Sequence, residues 1–505
     1  MQLSTSWVNA MKVLLVNPPQ TFHPGSEPPA GNLPIGLMYI AAVLAKAGVD
    51  VEVLDAFMGW GSTFQQDGET VTVGMPLENI KKEIEKRKPD IVGLAGPFTC
   101  QISNTLKVSK LVKQVNSKIL TVVGGPHVTL VPKEFLEEAQ DVDVVVVGEG
   151  EYTMLEVTQA FQGEKILGNV KGVAYRHEGK VVLNSPRPLI DDLDELPYPA
   201  YNLVNMEHYL SPPQGIGYRS FQNRAVSMVT SRGCPYNCCF CAVHLHMGHR
   251  FRAHSAQYVL GHIQYLVDKY KVKNIFFEDD NLTLDLKRFE AICDGIIERK
   301  IKIGWETPNG VRADCLNMEL LKKMKRSGAN SIFVGVESGD QQILDKVICK
   351  SLDLDRVVEF AKSAQQIGLK TGAFYIIGFP GETKENMWRT VNFALELKRK
   401  YDVGMHLFAA TPSYGTKLYE ECKVKGYLPA DLSWNSFAQA RQAKGMPLIT
   451  TNEFTPVEVK EIAAKALAEY KRLSLMGHIK HPGKALKTVF AQPQLIWKYI
   501  KNLAS

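Results

Sequence analysis

The chain has 505 residues, 45% of them apolar and 22% charged, so it is long enough for two or three globular domains and ordinary in composition. Its net charge of +6 is modest and speaks neither for nor against nucleic acid. No apolar run approaches the roughly 20 residues that span a bilayer. Met1–Met11 lacks the charged start and apolar block of a signal peptide, so a cytoplasmic protein is expected.

In chain order, Lys12–Asn17 is a short apolar run stopped by Pro18-Pro19 and reads as a buried strand. Gly36–Ala47 has helical apolar spacing, Val51–Leu54 reads as a strand and Leu77–Lys88 as an amphipathic helix. Asp90–Ala95 is a third strand, Ser103–Asn116 a helix that Ser103 can cap, and Ile119–Val123 and Val142–Val147 are further strands. Alternating short strands and helices predict a parallel sheet covered on both faces.

Ligands of such sheets lie beyond the carboxyl ends of the strands. Those ends read Asn17-Pro18-Pro19, then Gly96 with Pro97, Phe98 and Thr99, then Gly124, Gly125, Pro126 and His127, and lastly Gly148, Glu149, Gly150 and Glu151. Gly and Pro at a single loop need only mean a tight turn, but four such loops together make a wide floor for a large flat ligand. No G-x-G-x-x-G follows the first strand, which argues against a nicotinamide site. His127 can ligate a metal or serve as a hydrogen-bonded wall residue.

Lys171–Asn184 alternates like a hairpin around Glu178-Gly179, and Ser185–Pro199 is rich in Pro and acid, as a domain connector would be. Ala225–Thr230 reads as a strand leading into the densest feature of the chain. Four of the nine cysteines fall between Cys234 and Cys241, with Cys234, Cys238 and Cys241 spaced C-x3-C-x2-C. Nine is an odd number, and this clustering fits metal ligation in a reducing compartment rather than disulfides. Zinc would need a fourth ligand, for which His244, His246 and His249 are available. Compact thiolate runs instead suit an iron–sulfur cluster, and three thiolates leave one iron of a four-iron cluster open. Cys239 is expected to point away. His244, His246, His249 and Arg252 can also face a substrate or remain in a solvated loop.

Downstream, strands are expected at Asn274–Asp280, Ile303–Asp314, Ser331–Glu337, Thr371–Glu382 and Met405–Ala410. They alternate with helices at Ala256–Tyr270, Leu286–Arg299, Met318–Ser327, Leu354–Ile367 and Lys384–Lys398. Six β/α repeats predict a partial barrel rather than the full eight. Carboxylates Glu278, Asp279 and Asp280 end one strand and Glu337 another, beside Ser338, which can cap a helix. Arg312 can offset acid charge at the barrel mouth. Pro456–Leu475 reads as a helix packed on the barrel. From Lys471 to Ser505 there are seven Lys or Arg and no acid, interleaved with aromatic residues, as in a segment that lies on an anionic membrane or docks on the protein with its lysines in water.

The cysteine spacing, with Phe240 before the last Cys, resembles the radical S-adenosylmethionine superfamily. The motifs Asn17-Pro18-Pro19, Pro34–Leu37, Gly124–His127 and Gly148–Glu151 resemble the cobalamin-binding domain that precedes many of its members. The D-x-H-x-x-G box of other cobalamin proteins is absent, which implies a cofactor without a histidine on its lower face. The resemblance implies an α/β chain in four parts: a Rossmann-like, flavodoxin-like cobalamin domain over 11–165, a hairpin and connector over 166–215, a partial (β/α)6 barrel over 216–445, and a helical C-terminal region over 446–505. It implies a 4Fe-4S cluster on Cys234, Cys238 and Cys241, and S-adenosyl-L-methionine held near Phe240, Glu278, Asp279, Asp280, Arg312, Glu337, Ser338 and Gly378. Cobalamin would lie on the four floor loops. The implied reaction forms a 5′-deoxyadenosyl radical, which abstracts hydrogen from an unactivated carbon that then receives a methyl group from cobalamin. Implied partners are an electron donor such as flavodoxin or ferredoxin and a small-molecule, lipid or pigment substrate, with no nucleic acid. The layout also resembles that of the anaerobic porphyrin-ring cyclases, and a non-catalytic iron–sulfur or cobalamin sensor is the alternative of another class.

Overall fold

The structure, a computed structural model, describes residues 11–22, 32–59, 61, 63–67, 70–211, 224–434, 436–437 and 445–480. In the first part the strands are β1 (Lys12–Asn17), β2 (Gln20–Phe22), β3 (Asp50–Asp55), β4 (Thr63–Asp67), β5 (Thr70–Gly74), β6 (Ile91–Ala95), β7 (Leu120–Gly124), β8 (Val144–Val146), β9 (Val173–His177) and β10 (Lys180–Leu183). Seven of them form one sheet in the order β10-β9-β8-β7-β6-β1-β3, while β2, β5 and β4 form a small sheet beside it. From β3 to β8 all pairings are parallel, and the central strands β6, β7 and β8 are apolar on both faces, with the single exception of Thr121, because helices cover both. The strand order reverses between β1 and β6, which is the switch point where flavodoxin-like sheets open a crevice.

Two local expectations are corrected. The helix at Ile102–Val115 begins one residue before Ser103, after a 3-10 turn at Thr99–Gln101, so Ser103 lies within its first turn rather than capping it. The hairpin assigned to the connector is built onto the sheet: β9 runs antiparallel to β8, and Glu178 and Gly179 take the two positive φ angles of a tight hairpin turn, 51° and 76°. The connector that follows is packed, not free. Ile190, Leu193 and Leu196 are buried against Tyr39 and Val43 of the helix Ile35–Lys46.

The second part contributes β11 (Ala225–Met228), β12 (Ser231–Arg232), β13 (Arg252–Ala253), β14 (Asn274–Phe277), β15 (Gly304–Val311), β16 (Ala329–Glu337), β17 (Lys370–Ile377) and β18 (Gly404–Ala409). Six of them pair in the order β11-β14-β15-β16-β17-β18, all parallel. A long helix lies between each strand of this sheet and the next, packed outside, so the sheet curls into an open barrel. The helices are Ala256–Tyr270, Leu286–Glu298, Met318–Arg326, Leu354–Gln366 and Lys384–Tyr401. Side-chain caps fix several starts, including Ser255, Asp285, Asn317 and the Thr383–Asn386 capping box. The helix Pro456–Lys480 packs on the barrel through Val459, Ile462, Ala463 and Ala466. Among the described residues no helix is long and apolar enough to cross a membrane. The basic aromatic segment beyond Lys480 lies outside the described residues.

Candidate functional site

The carboxyl ends of β1, β6, β7 and β8 border a cavity of about 510 Å³, within the range of cofactor pockets. Pro97, Phe98, Gly124, Gly125, Pro126, Gly148, Glu149, Gly150 and Glu151 all line it, as do Asn17 and Gly36. The far wall belongs to the barrel: Val229, Ser231, Arg232, His246, Met247, Glu278 and Asp280. The cavity therefore joins the floor of one domain to the segment that delivers the cysteines.

Backbone, not side chains, makes the floor. A Cβ added at Gly36 or Gly148 would meet nothing within 4 Å, so a side chain there would project into space that a ligand can use. Gly125, at φ 133°, crosses so close to Gly96 that an added Cβ would stand 2.6 Å from its carbonyl oxygen. Such a cradle fits a broad planar cofactor. Thr99 and His127 are not part of it. His127 is buried behind the floor, with Nδ1 3.0 Å from Thr99 Oγ1 and the rings of Phe135, Tyr414 and Trp434 around it. Burial pushes its pKa down to about 4, so the imidazole is neutral. Its ring belongs to the wall, the hydrogen-bonded role expected beside metal ligation.

Glu149 and Glu151 do more than line the floor. Arg232, directly before Gly233-Cys234, donates Nη1 to Glu149 at 2.8 Å and Nη2 to Glu151 at 2.5 Å. Arg252, opposite Arg232 in the β12–β13 ladder, donates to the same Glu149 oxygen at 2.8 Å, and the Ile190 N–H donates to the other at 2.7 Å. All four charged side chains are buried, and the two guanidinium groups hold the Glu149 carboxyl below its usual range against the effect of burial. Asp55, also buried, ties the domains a second time. It accepts from Asn17 Nδ2 at 2.8 Å, from the Phe57 N–H at 3.0 Å, and from the Tyr209 hydroxyl.

The cysteine loop is held from three sides. The Cys234 N–H reaches Gly248 O at 3.3 Å, the Cys239 N–H reaches Ile348 O at 3.0 Å, and Cys239 O accepts from Leu418 N at 2.9 Å. Gly233, at φ 83°, turns the chain where an added Cβ would stand 2.4 Å from Arg250 O. Cys234, Cys238 and Cys241 are partly buried, whereas Cys239 lies in the barrel core. Burial raises the Cys238 thiol, an effect opposed by Lys350, and raises Cys241 to about 12. Free thiols so disfavoured as anions suit a site that is ionised by its own iron. Among the described residues no three His, Cys, Asp or Glu converge on a single ion. A four-iron cluster takes each thiolate on a different iron, so the three need not meet on one ion. The thiols and the cradle thus fit the two groups.

The three strand-end acids separate by alternation. Glu278 and Asp280 face the cavity, with Glu278 accepting from Ser227 Oγ at 3.0 Å. Asp279 points the other way, fully buried. It accepts from Thr230 Oγ1 at 2.7 Å and Ser231 Oγ at 2.5 Å, so it fastens the β11 end rather than meeting a cofactor. Burial, then Asp279, raise Asp280 to about 6. Glu337, at φ 70°, pairs with buried Lys350 Nζ at 2.6 Å. Arg312 holds Asp314 with two bonds of 3.0 and 2.6 Å, reaches Lys350 O at 3.0 Å, and stacks 4.1 Å from the Tyr236 ring centre. Ser338 bonds Thr390 at 2.9 Å, and the helix cap beside it is Asp340. Phe240 packs 5.9 Å from Phe379. The N–H groups of Gly378 and Phe379 both donate to Glu382, at 2.7 and 2.8 Å. Arg232 and Lys350 were not singled out from the sequence. Adjacency to Cys234 was available as a signal for Arg232, and nothing local marks Lys350.

Residues 31–158 match the B12 binding domain, and residues 228–394 match the Radical SAM superfamily. An uncharacterized methyltransferase of Pyrococcus horikoshii is 32% identical over 464 residues, 92% of this chain and 93% of its own. The cytidylyl-2-hydroxyethylphosphonate methyltransferase of Streptomyces wedmorensis is 31% identical over 484 residues, 90% of this chain and 89% of that one. The structure of TsrM from Kitasatospora setae, with cobalamin and a 4Fe-4S cluster bound, shares the fold at a TM-score of 0.68 and 16% identity, covering 92% of this chain and 91% of that one. With both domains in this order and full-length relatives above 30% identity, the chain belongs to the cobalamin-dependent radical S-adenosylmethionine methyltransferases.

Proposed function

We propose that this chain methylates an unactivated carbon of a small molecule, lipid or pigment within the space between its two domains. The observation that carries the reading is a cavity bordered by the glycine floor on one side and by Arg232, Glu278 and Asp280 on the other. When bound there, the cluster with S-adenosyl-L-methionine supplies a carbon-centred radical and cobalamin supplies the methyl group. The chain's own work is placement. Cys234, Cys238 and Cys241 hold the cluster. Glu278 and Asp280 face the cavity as acceptors for an ammonium group. Glu337 is oriented by Lys350. The turn at Gly378–Phe379 is fixed by Glu382 so that its backbone can meet a flat ring. The Arg232–Glu149 contacts keep the floor at a set distance from the cysteine loop, and the cavity walls exclude water. On this reading the chain works in the cytoplasm, takes electrons from a flavodoxin or ferredoxin, and reaches the inner membrane surface through its basic tail.

The test is anaerobic reconstitution with iron, sulfide and cobalamin, followed by measurement of 5′-deoxyadenosine and S-adenosylhomocysteine. Both products are expected. Deoxyadenosine alone would replace methylation by another radical reaction, and neither product would overturn the enzyme reading. Replacing Cys234, Cys238 or Cys241 by Ala is expected to abolish deoxyadenosine formation.

A further inference from the structure

The inner face of the barrel carries an aromatic wall that none of the cofactor contacts uses. Phe333 of β16 and Phe374 of β17 stack with ring centres 5.5 Å apart and planes 22° apart. His406 of β18 stands edge-on to both, at 5.2 and 5.5 Å, and Phe408 extends the surface 6.1 Å beyond Phe374. Inward position follows from strand alternation: Phe333 shares its face with Gly335, whose added Cβ would touch the Glu337 carboxylate, while the intervening Ile332, Val334 and Val336 are buried under the helices.

Glycines make room for the rings. An added Cβ at Gly372 would stand 2.5 Å from the Phe333 ring, and one at Gly310 would stand 3.2 Å from the Phe374 ring. Phe333 therefore lies over the bare Gly372 of the adjacent strand β17, and Phe374 reaches across β16 to the bare Gly310 of β15. The wall remains open, with Phe408 39% exposed. It also lies near the chemistry. Phe333 and Glu337 are four residues apart on one strand, about 13 Å.

We propose that this wall is the substrate-recognition surface, and that it takes a planar aromatic or heteroaromatic ring. The inference rests on the methyltransferase reading above, and deepens it by naming the substrate class. A cation would call for rings that enclose it from several sides. Phe333, Phe374, His406 and Phe408, on three adjacent strands, instead form a contiguous aromatic surface along one side, which suits contact with a flat π-system. His406 adds its ring edge to that surface beside Phe333 and Phe374. Stacking of one base on an aromatic side chain is typically worth about 1–3 kcal/mol, a factor of roughly 5 to 150 in affinity.

The test uses the full chain, reconstituted with cluster and cobalamin and saturated with S-adenosylhomocysteine so that the cofactor sites are filled. Binding of indole, cytidine and cyclohexylmethanol is measured by saturation-transfer NMR and equilibrium dialysis on wild type, Phe374→Leu and Phe408→Leu. Indole or cytidine is expected to bind at least fivefold more tightly than cyclohexylmethanol, and both substitutions are expected to weaken that ring about fivefold or more. Phe408 lies at the exposed rim, so its variant keeps the test informative if Phe374→Leu folds poorly. Equal binding of the saturated ring, or unchanged binding in Phe408→Leu, overturns the proposal. The cluster absorption and EPR signal of the same samples report separately on the radical-enzyme reading.

Discussion

Glu382 lies fully buried at the end of the turn that follows β17, with one carboxylate oxygen bound by two backbone N–H groups and the other without a partner among the described residues. Burial raises its pKa from 4.5 to about 7, against the lowering effect of the Phe379 and Gly378 amides. Because the folded value lies above the unfolded one, its contribution to stability is full below pH 4.5 and is lost as pH rises through 7. A shift of that size is on the order of 3 kcal/mol. Between pH 5 and pH 8 the thermal midpoint of wild type should therefore fall more than that of Glu382→Gln, which cannot ionise. Parallel pH profiles for the two proteins would show that the carboxyl does not titrate as its burial requires. His127 differs in being buried and neutral with its role confined to the wall, so His127→Phe should leave ligand binding on the floor within about twofold, as read by cobalamin titration.

At the scale of elements, the join between β8's loop and the β12–β13 ladder carries four buried charges: Glu149, Glu151, Arg232 and Arg252. Removing one partner of such a network leaves a buried charge uncompensated, at a cost of about 3–5 kcal/mol. Glu149→Ala should thus lower the unfolding midpoint and open the connector at 185–199 to limited proteolysis. Glu149→Gln, which keeps an acceptor for the Ile190 N–H, should do so less. Equal resistance of wild type and Glu149→Ala would mean that the charges do not hold the domains together. This join also marks the boundary of what a sequence can tell. Period and punctuation sufficed for the helix Ala256–Tyr270 and for six parallel strands, because each is decided by residues within one or two turns of one another. The C-x3-C-x2-C spacing carried the cluster for the same reason. Arg232 and Glu149 are 83 positions apart, and no local pattern pairs them. Asp279 was misplaced because three adjacent acids look alike until strand alternation sends the middle one inward. Ser103 was misplaced because a 3-10 turn starts the helix early.

At the scale of the molecule, neither domain alone encloses the cavity, since its floor comes from the first sheet and its opposite wall from the barrel. Gly36 allows the two halves of the function to be separated. It lies in the first turn of the helix Ile35–Lys46, its φ is not in the left-handed region, and an added Cβ meets nothing within 4 Å. Gly36→Ala should be neutral or stabilise by up to about 1 kcal/mol, because alanine favours the helix and touches nothing. Gly36→Phe keeps the helix but fills the floor of the cavity with a ring. It is expected to abolish cobalamin retention, read from the absorption of the purified protein, while leaving iron content and the cluster EPR signal at wild-type levels. Deoxyadenosine should still form and S-adenosylhomocysteine should not, because the cysteine loop is untouched and only the methyl-carrying side is blocked. If Gly36→Phe keeps its cobalamin, the cofactor does not lie on this floor. If it loses cobalamin and cluster together, the two sites are coupled through the Glu149–Arg232 join more tightly than their separate domains suggest.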